Sequence, residues 1–166
     1  MKWEVSLAKW RESRNLTEPL EVYDEAMDEE KQEYITALAD NDWDGLVDAV
    51  CDQLVFTTNQ LFTEGHGNQL NGAFFVTGND TWEFGKDNRN ALMQTRSKLI
   101  TALGELGVVV DLAMKEAVKH ISCRKQDPEQ AEDWAMHGPS GKWQKWKAQP
   151  IEELYQPNYL RCKITK

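Results

Sequence analysis

The chain is short of cysteine, histidine and basic residues, and each shortage closes off a class of function. Its three cysteines, Cys51, Cys123 and Cys162, are an odd number, and none stands in a CxxC or zinc-like spacing. That argues against a disulfide framework and for a reducing, cytoplasmic setting. None of the three histidines, His66, His120 and His137, has a glutamate three residues before it. A carboxylate-bridged di-iron bundle expects two Glu-x-x-His motifs, so it fits poorly. Lysine and arginine number 19 against 28 acidic residues, a formal charge of -9. A protein that grips a nucleic-acid backbone shows a basic face, and this balance argues against one. It leaves a nucleotide substrate open, because metal ions bridge acidic side chains to phosphates. No apolar run approaches membrane-spanning length, and Met1-Lys2-Trp3-Glu4 begins no signal-peptide core, so neither a membrane partner nor a secretory leader is expected.

What is present is a helical pattern. At 166 residues, 40% hydrophobic and with seven tryptophans, the chain has the size of one domain with a sizeable core. Trp3, Leu7 and Trp10 stand at helical spacing and predict a helix over about 3–15. Thr17 as cap and Pro19 in the first turn start a second helix, over about 19–39. Asp40-Asn41-Asp42 breaks it. Asp42 or Asp44 then caps a third helix over 43–63, with Leu46, Val47, Val50, Leu54 and Val55 as its apolar stripe; Gly65 and Gly67 follow its end. Residues 68–88, rich in Gly, Asn and Thr, read as a loop or insertion. Two further helices are expected over about 89–103 and 108–122, divided near Gly104 and Gly107. After Asp127-Pro128 the chain turns polar and Trp-rich, an irregular tail packed on the bundle. The expected fold is therefore all-α: a single domain over 1–166, with about five helices, a core at about 17–125 and a tail at 126–166.

Two acidic clusters interrupt the helical pattern. Residues three or four apart share a helix face. Glu29 and Glu30 therefore each share one with Glu33, and Asp48 shares one with Asp52. If the two helices pack antiparallel, these carboxylates converge, and crowded like charges call for a hard cation such as Mg²⁺. Mg²⁺ in turn is the usual partner of a substrate polyphosphate.

The motifs themselves are familiar. Glu30-Lys31-Gln32-Glu33 is an ExxE, and Asp52 closes a second motif in which Ala49 stands where a strict ExxD has Glu. Two such motifs on consecutive helices resemble the all-α NTP pyrophosphohydrolases, the superfamily of MazG, dimeric dUTPase and phosphoribosyl-ATP pyrophosphohydrolase. The Asp48-Ala49 start, running into Asp52-Gln53-Leu54-Val55-Phe56, is similar to phage-type members. So are Gly107 followed by Asp111-Leu112, Glu116 and Arg124-Lys125, and more loosely Gly141-Lys142 and Pro157-Asn158-Tyr159. The likeness covers about 20–125, interrupted at 68–88. Where the family carries an Asn after its later acidic residue, this chain has Ile121 and Ser122.

The resemblance implies a Mg²⁺-dependent enzyme, with Mn²⁺ as substitute, that cleaves a nucleoside or deoxynucleoside triphosphate between its α and β phosphates. It implies Glu30, Glu33 and Asp52 as metal ligands, with Asp48 next, and Glu29 to orient or deprotonate the attacking water. Lys119, Arg124 and Lys125 are the candidates for the outer phosphates, and Trp10, Phe56 and Trp82 for the base pocket. A homodimer or homotetramer that controls nucleotide pools in the cytoplasm of a bacterium or phage-infected host goes with this reading.

Plainer readings stand beside it. Taken alone, 29–33 is a solvated helix face. The second cluster changes the balance, since Asp is a poor interior helix former and a buried carboxylate is costly without a partner. Cys51 has no neighbouring His and reads as a packing residue rather than a nucleophile, and His120 reads as an ordinary helix residue. Trp143-Gln144-Lys145-Trp146-Lys147 places bases between aromatics as single-strand binders do, but it is short and sits in an acidic protein. A catalytically degenerate relative that binds a nucleotide or a protein as a regulator is the competing function.

Overall fold

A computed structural model describes residues 2–14, 21–63, 86–123 and 154–165. Among them the chain is all-α, as expected. The helices are α1 (Trp3–Arg14), α2 (Glu21–Ala39), α3 (Trp43–Thr63), α4 (Lys86–Glu105) and α5 (Val110–Ser122). An irregular C-terminal segment with one 3₁₀ turn, Tyr159–Cys162, follows. α4 starts at Lys86, before the expected 89, and so takes in the end of the 68–88 stretch. Thr17-Glu18-Pro19, the rest of 68–88 and Trp143–Lys147 lie outside the described residues.

α3 is the central helix. It carries no lysine or arginine, and its buried residues run almost all round it. Val47, Val50, Cys51, Leu54 and Val55 face the main core, and Gln53, Thr57, Thr58 and Asn59 are buried as well. α2, α4, α5 and the 3₁₀ turn all pack against it. The buried threonines are satisfied within the helix: Thr57 Oγ1 donates to Gln53 O at 2.8 Å and Thr58 Oγ1 to Leu54 O at 2.7 Å. Such back-bonding lets a hydroxyl be buried without an orphaned donor.

The remaining walls of the core follow from helical spacing. α1 contributes Trp3 and Leu7, with Trp10 packed at the edge; α4 contributes Leu99 and Leu103; α5 contributes Ala113, Met114, Ala117 and Val118. Tyr159 and Cys162 of the C-terminal segment complete the cluster. α4 ends in a Schellman motif. Gly107 takes φ 85, its N–H reaches Gly104 O at 3.0 Å, and Val108 N–H reaches Leu103 O at 3.3 Å. The following linker pairs with the C-terminal segment, with Val109 N donating to Cys162 O and Ile164 N to Gly107 O, both at 2.7 Å.

α1 and α4 are joined by a buried ion pair that the sequence did not announce. Arg96 Nη2 lies 2.6 Å from Glu4 Oε1, with both side chains at about a tenth of their free exposure. The guanidinium also lies 6.0 Å from the centroid of the Trp3 ring. Removing one member of a buried pair strands the other charge, and typically costs about 3–5 kcal/mol. Glu4→Ala or Arg96→Ala alone should therefore lower stability by about 3 kcal/mol, seen as a lower urea midpoint. Glu4→Leu with Arg96→Met, which removes both charges, should recover most of that loss.

Candidate functional site

The two acidic motifs sit on one helical hairpin, and its turn is closed by two caps in succession. α2 ends in a second Schellman motif: Asn41 takes φ 53, its N–H reaches Leu38 O at 3.3 Å, and Asp42 N–H reaches Ala37 O at 2.9 Å. Asparagine tolerates the left-handed region better than most residues. Asp42 then caps α3, its Oδ1 accepting from Gly45 N at 3.0 Å. Of the two caps the sequence allowed, Asp42 is the one used. Gly45 is needed where it stands, because a Cβ there would lie 2.5 Å from Asp42 Oδ2 and 3.1 Å from Ala37 Cβ. Near the other end of the hairpin Thr57 Oγ1 lies 3.9 Å from Met27 Sδ. Together these contacts set α2 and α3 antiparallel, with 29–33 alongside 48–52.

An open cleft of about 430 Å³ runs along the hairpin. Glu29, Glu33, Asp40, Asp42 and Asp48 line it with Gln32 and Thr36; Ala37 and Gly45 are the small residues of its wall. Among the described residues that line it there is no lysine or arginine. Five carboxylates along one open groove make a strongly negative site, and their oxygens suit a hard divalent cation. Among the described residues no three His, Cys, Asp or Glu side chains are already drawn in around one point. The carboxylates border the cleft rather than clasp its centre.

The structure separates the expected site residues. Glu29 and Glu33 are exposed at the cleft, and Asp48 lines it half-buried. Glu30 is 2% exposed, on the buried side of α2, and Asp52 is half-buried; neither lines the cleft. Ala49, in the place of the motif's Glu, is 1% exposed. Lys119 Nζ rests 4.1 Å from the centre of the Tyr155 ring, away from the cleft lining. Trp10 packs on the core and Phe56 is half-buried on α3; neither lines the cleft. Arg124, Lys125 and Trp82 lie outside the described residues. Asp111 forms a surface pair with Lys115 at 2.7 Å.

A residue of the Pro157-Asn158-Tyr159 segment, to which the sequence assigned no role at the site, closes on the cleft from the other side. The hydroxyl of Tyr159 donates to Asp48 Oδ1 at 2.6 Å, across 111 positions of sequence. A second open cleft, of about 510 Å³, lies beyond this bond and shares Asp48 and Gly45 with the first. Burial above all, then the nearby Cys51, Asp48 and Asp52, pushes the Tyr159 hydroxyl far above its usual range, so it stays a donor. Burial also raises the Cys51 thiol, and the Asp52 and Asp48 charges raise it further. Cys51 is thus a protonated packing residue, not a nucleophile. Glu116 serves the same segment, its Oε2 accepting from the Tyr155 hydroxyl and from Asn158 N at 3.2 Å. His120 Nδ1 bonds Tyr155 O, which puts the ring proton on Nδ1.

No protein-family model, curated protein or solved structure matches the chain. Gly45→Ala should force the Asp42 cap and Ala37 apart and cost about 1–3 kcal/mol by overpacking. Asp42→Ala, which removes only the cap, should cost about 1 kcal/mol. Urea unfolding of the two variants measures both.

Proposed function

We propose that the protein is a Mg²⁺-dependent nucleotide pyrophosphohydrolase that converts a nucleoside or deoxynucleoside triphosphate to its monophosphate and pyrophosphate. The observation that carries this reading is the row of carboxylates, Glu29, Glu33 and Asp48 among them, along one cleft of the hairpin that bears ExxE and the second acidic motif. Glu33 and Asp48 would hold the cation from opposite helices. Mg²⁺, with Mn²⁺ as substitute, would neutralise charge on the attacked phosphate and the leaving pyrophosphate. Glu29, exposed at the cleft, has the reach to orient the attacking water and take its proton. Glu30 and Asp52 stand behind this row and add to its negative field. A homodimer or homotetramer goes with the reading, and α2 keeps Ile35 and Leu38 at 57% and 56% exposure on its outer side. The cellular role would be nucleotide-pool control in a bacterial or phage-infected cytoplasm.

A second reading, a catalytically silent regulator that binds a nucleotide or a partner protein, draws on Ala49. That residue is packed inside the hairpin at 1% exposure, where a strict motif has a carboxylate.

Release of pyrophosphate and of phosphate from a panel of NTPs and dNTPs separates the two. The enzyme reading expects pyrophosphate, abolished by EDTA. It expects Glu33→Gln and Asp48→Asn to need more Mg²⁺, Asp52→Asn to have a smaller effect of the same sign, and Glu29→Gln to lower kcat by about 100-fold or more. Folded protein that turns over no nucleotide would leave the regulator. Phosphate without pyrophosphate would mean a different cleavage position.

A further inference from the structure

Asp48 is the one acidic residue of the candidate site that borders both clefts, and its two oxygens face different demands. One of them, Oδ1, is taken by Tyr159 at 2.6 Å. Tyr159 is 3% exposed, and its backbone is fixed by contacts other than this bond. Its segment is held to α5 by Glu116, which accepts from Asn158 N and the Tyr155 hydroxyl. Tyr155 N is held in turn by Cys123 Sγ at 3.2 Å. The segment is held to the α4–α5 linker by Val109 N to Cys162 O and Ile164 N to Gly107 O, each at 2.7 Å. The phenol is thus carried to α3 on a frame built from α5 and the linker. A short bond from a buried hydroxyl to a carboxylate fixes the carboxylate's rotation and strengthens in a dry setting.

We propose that Tyr159 is a positioning residue: its hydroxyl holds Asp48 by Oδ1 and so leaves Oδ2 directed to a cation in the cleft. This rests on the reading of the cleft as a divalent-cation site. The C-terminal segment is then part of the site's machinery although it supplies no ligand of its own. Groups that orient a metal ligand without touching the metal typically change its affinity by about 10–100-fold.

The test is Mn²⁺ binding to the full chain, read from the electron-paramagnetic signal of free Mn²⁺. It is made on the wild type, Tyr159→Phe, Asp48→Asn and the double variant, all with folded fraction checked by circular dichroism. Tyr159→Phe should weaken binding by about 10-fold or more. On the Asp48→Asn background the same change should have no further effect, because the hydroxyl acts only through Asp48. A purely structural tyrosine would weaken both backgrounds by the same factor, and that result overturns the proposal, as does unchanged affinity in Tyr159→Phe. A wild type that binds no Mn²⁺ overturns the cation-site reading itself, and the proposal with it. If Tyr159→Phe fails to fold, Glu116→Gln takes its place. It loosens the segment's anchor and keeps the phenol, and should weaken Mn²⁺ binding only where Asp48 is present; unchanged affinity there overturns the proposal.

Discussion

α3 is enclosed on nearly every side, and this enclosure governs what its polar residues can do. The buried side chains of such a helix cannot turn to bulk water, and a buried polar group without a partner costs about 1–3 kcal/mol. The threonines solve this within the helix, through the carbonyls of Gln53 and Leu54. Asp48, half-buried at the edge of this enclosure, accepts from a partner elsewhere in the chain, Tyr159. Asn59, 2% exposed, is an exception: its Oδ1 has no hydrogen-bond partner among the described residues. The apolar face of α3 binds α1, α4 and α5 into one core, and its acidic edge is left to the side where α2 is thin.

That thinness comes from α2 itself. Its buried residues include two alanines, Ala26 and Ala37, and Glu30, and only the half-buried Tyr34 among its described residues packs against the main cluster. Small side chains bring the helices close at the turn, where Ala37 meets Gly45, and leave the seam shallow enough for a groove. The carboxylates along this groove repel one another, yet the hairpin holds them together because its two caps and its Ala–Gly contact fix the register. Crowded like charges at a precisely held seam are a setting in which a divalent cation gains much and costs the fold little.

Much of this was legible in the chain. Apolar spacing and boundary signals placed the five helices of the described residues, and α3 lies at 43–63 as expected, because its polar boundary signals are strong and its interior is apolar. The antiparallel hairpin sets Glu29, Glu33 and Asp48 along one cleft, while Glu30 and Asp52, expected to converge with them, do not line it. Other features were not legible, for definite reasons. Glu30 and Glu33 share a helix face in a coarse sense, but three residues turn the helix by about 300°, enough to bury one and expose the other. Glu4, Arg11 and Arg96 are ordinary surface types, and only the packing of α1 on its neighbours reveals them as buried. The Tyr159–Asp48 bond joins residues 111 apart, and no local pattern encodes a contact of that range. Lys119 was named for its charge alone, and the contact of its ammonium with the Tyr155 ring is a pairing that no local pattern encodes.

The long span between Asp48 and Tyr159 also has a meaning in time. A hairpin of two adjacent helices needs only local contacts and can close within microseconds of its synthesis. At about 5–20 residues per second, the ribosome releases Tyr159 roughly 6–22 s after Asp48. Early in that interval the nascent chain holds an apolar α3 without its later walls; α4 and α5 are made during it, and the C-terminal segment at its end. The acidic row is in place early, the helices that cover the apolar face behind it follow, and the anchoring phenol comes after them. During synthesis the risk to this protein is therefore aggregation through α3, and a chaperone acting on the half-made chain would find its target there.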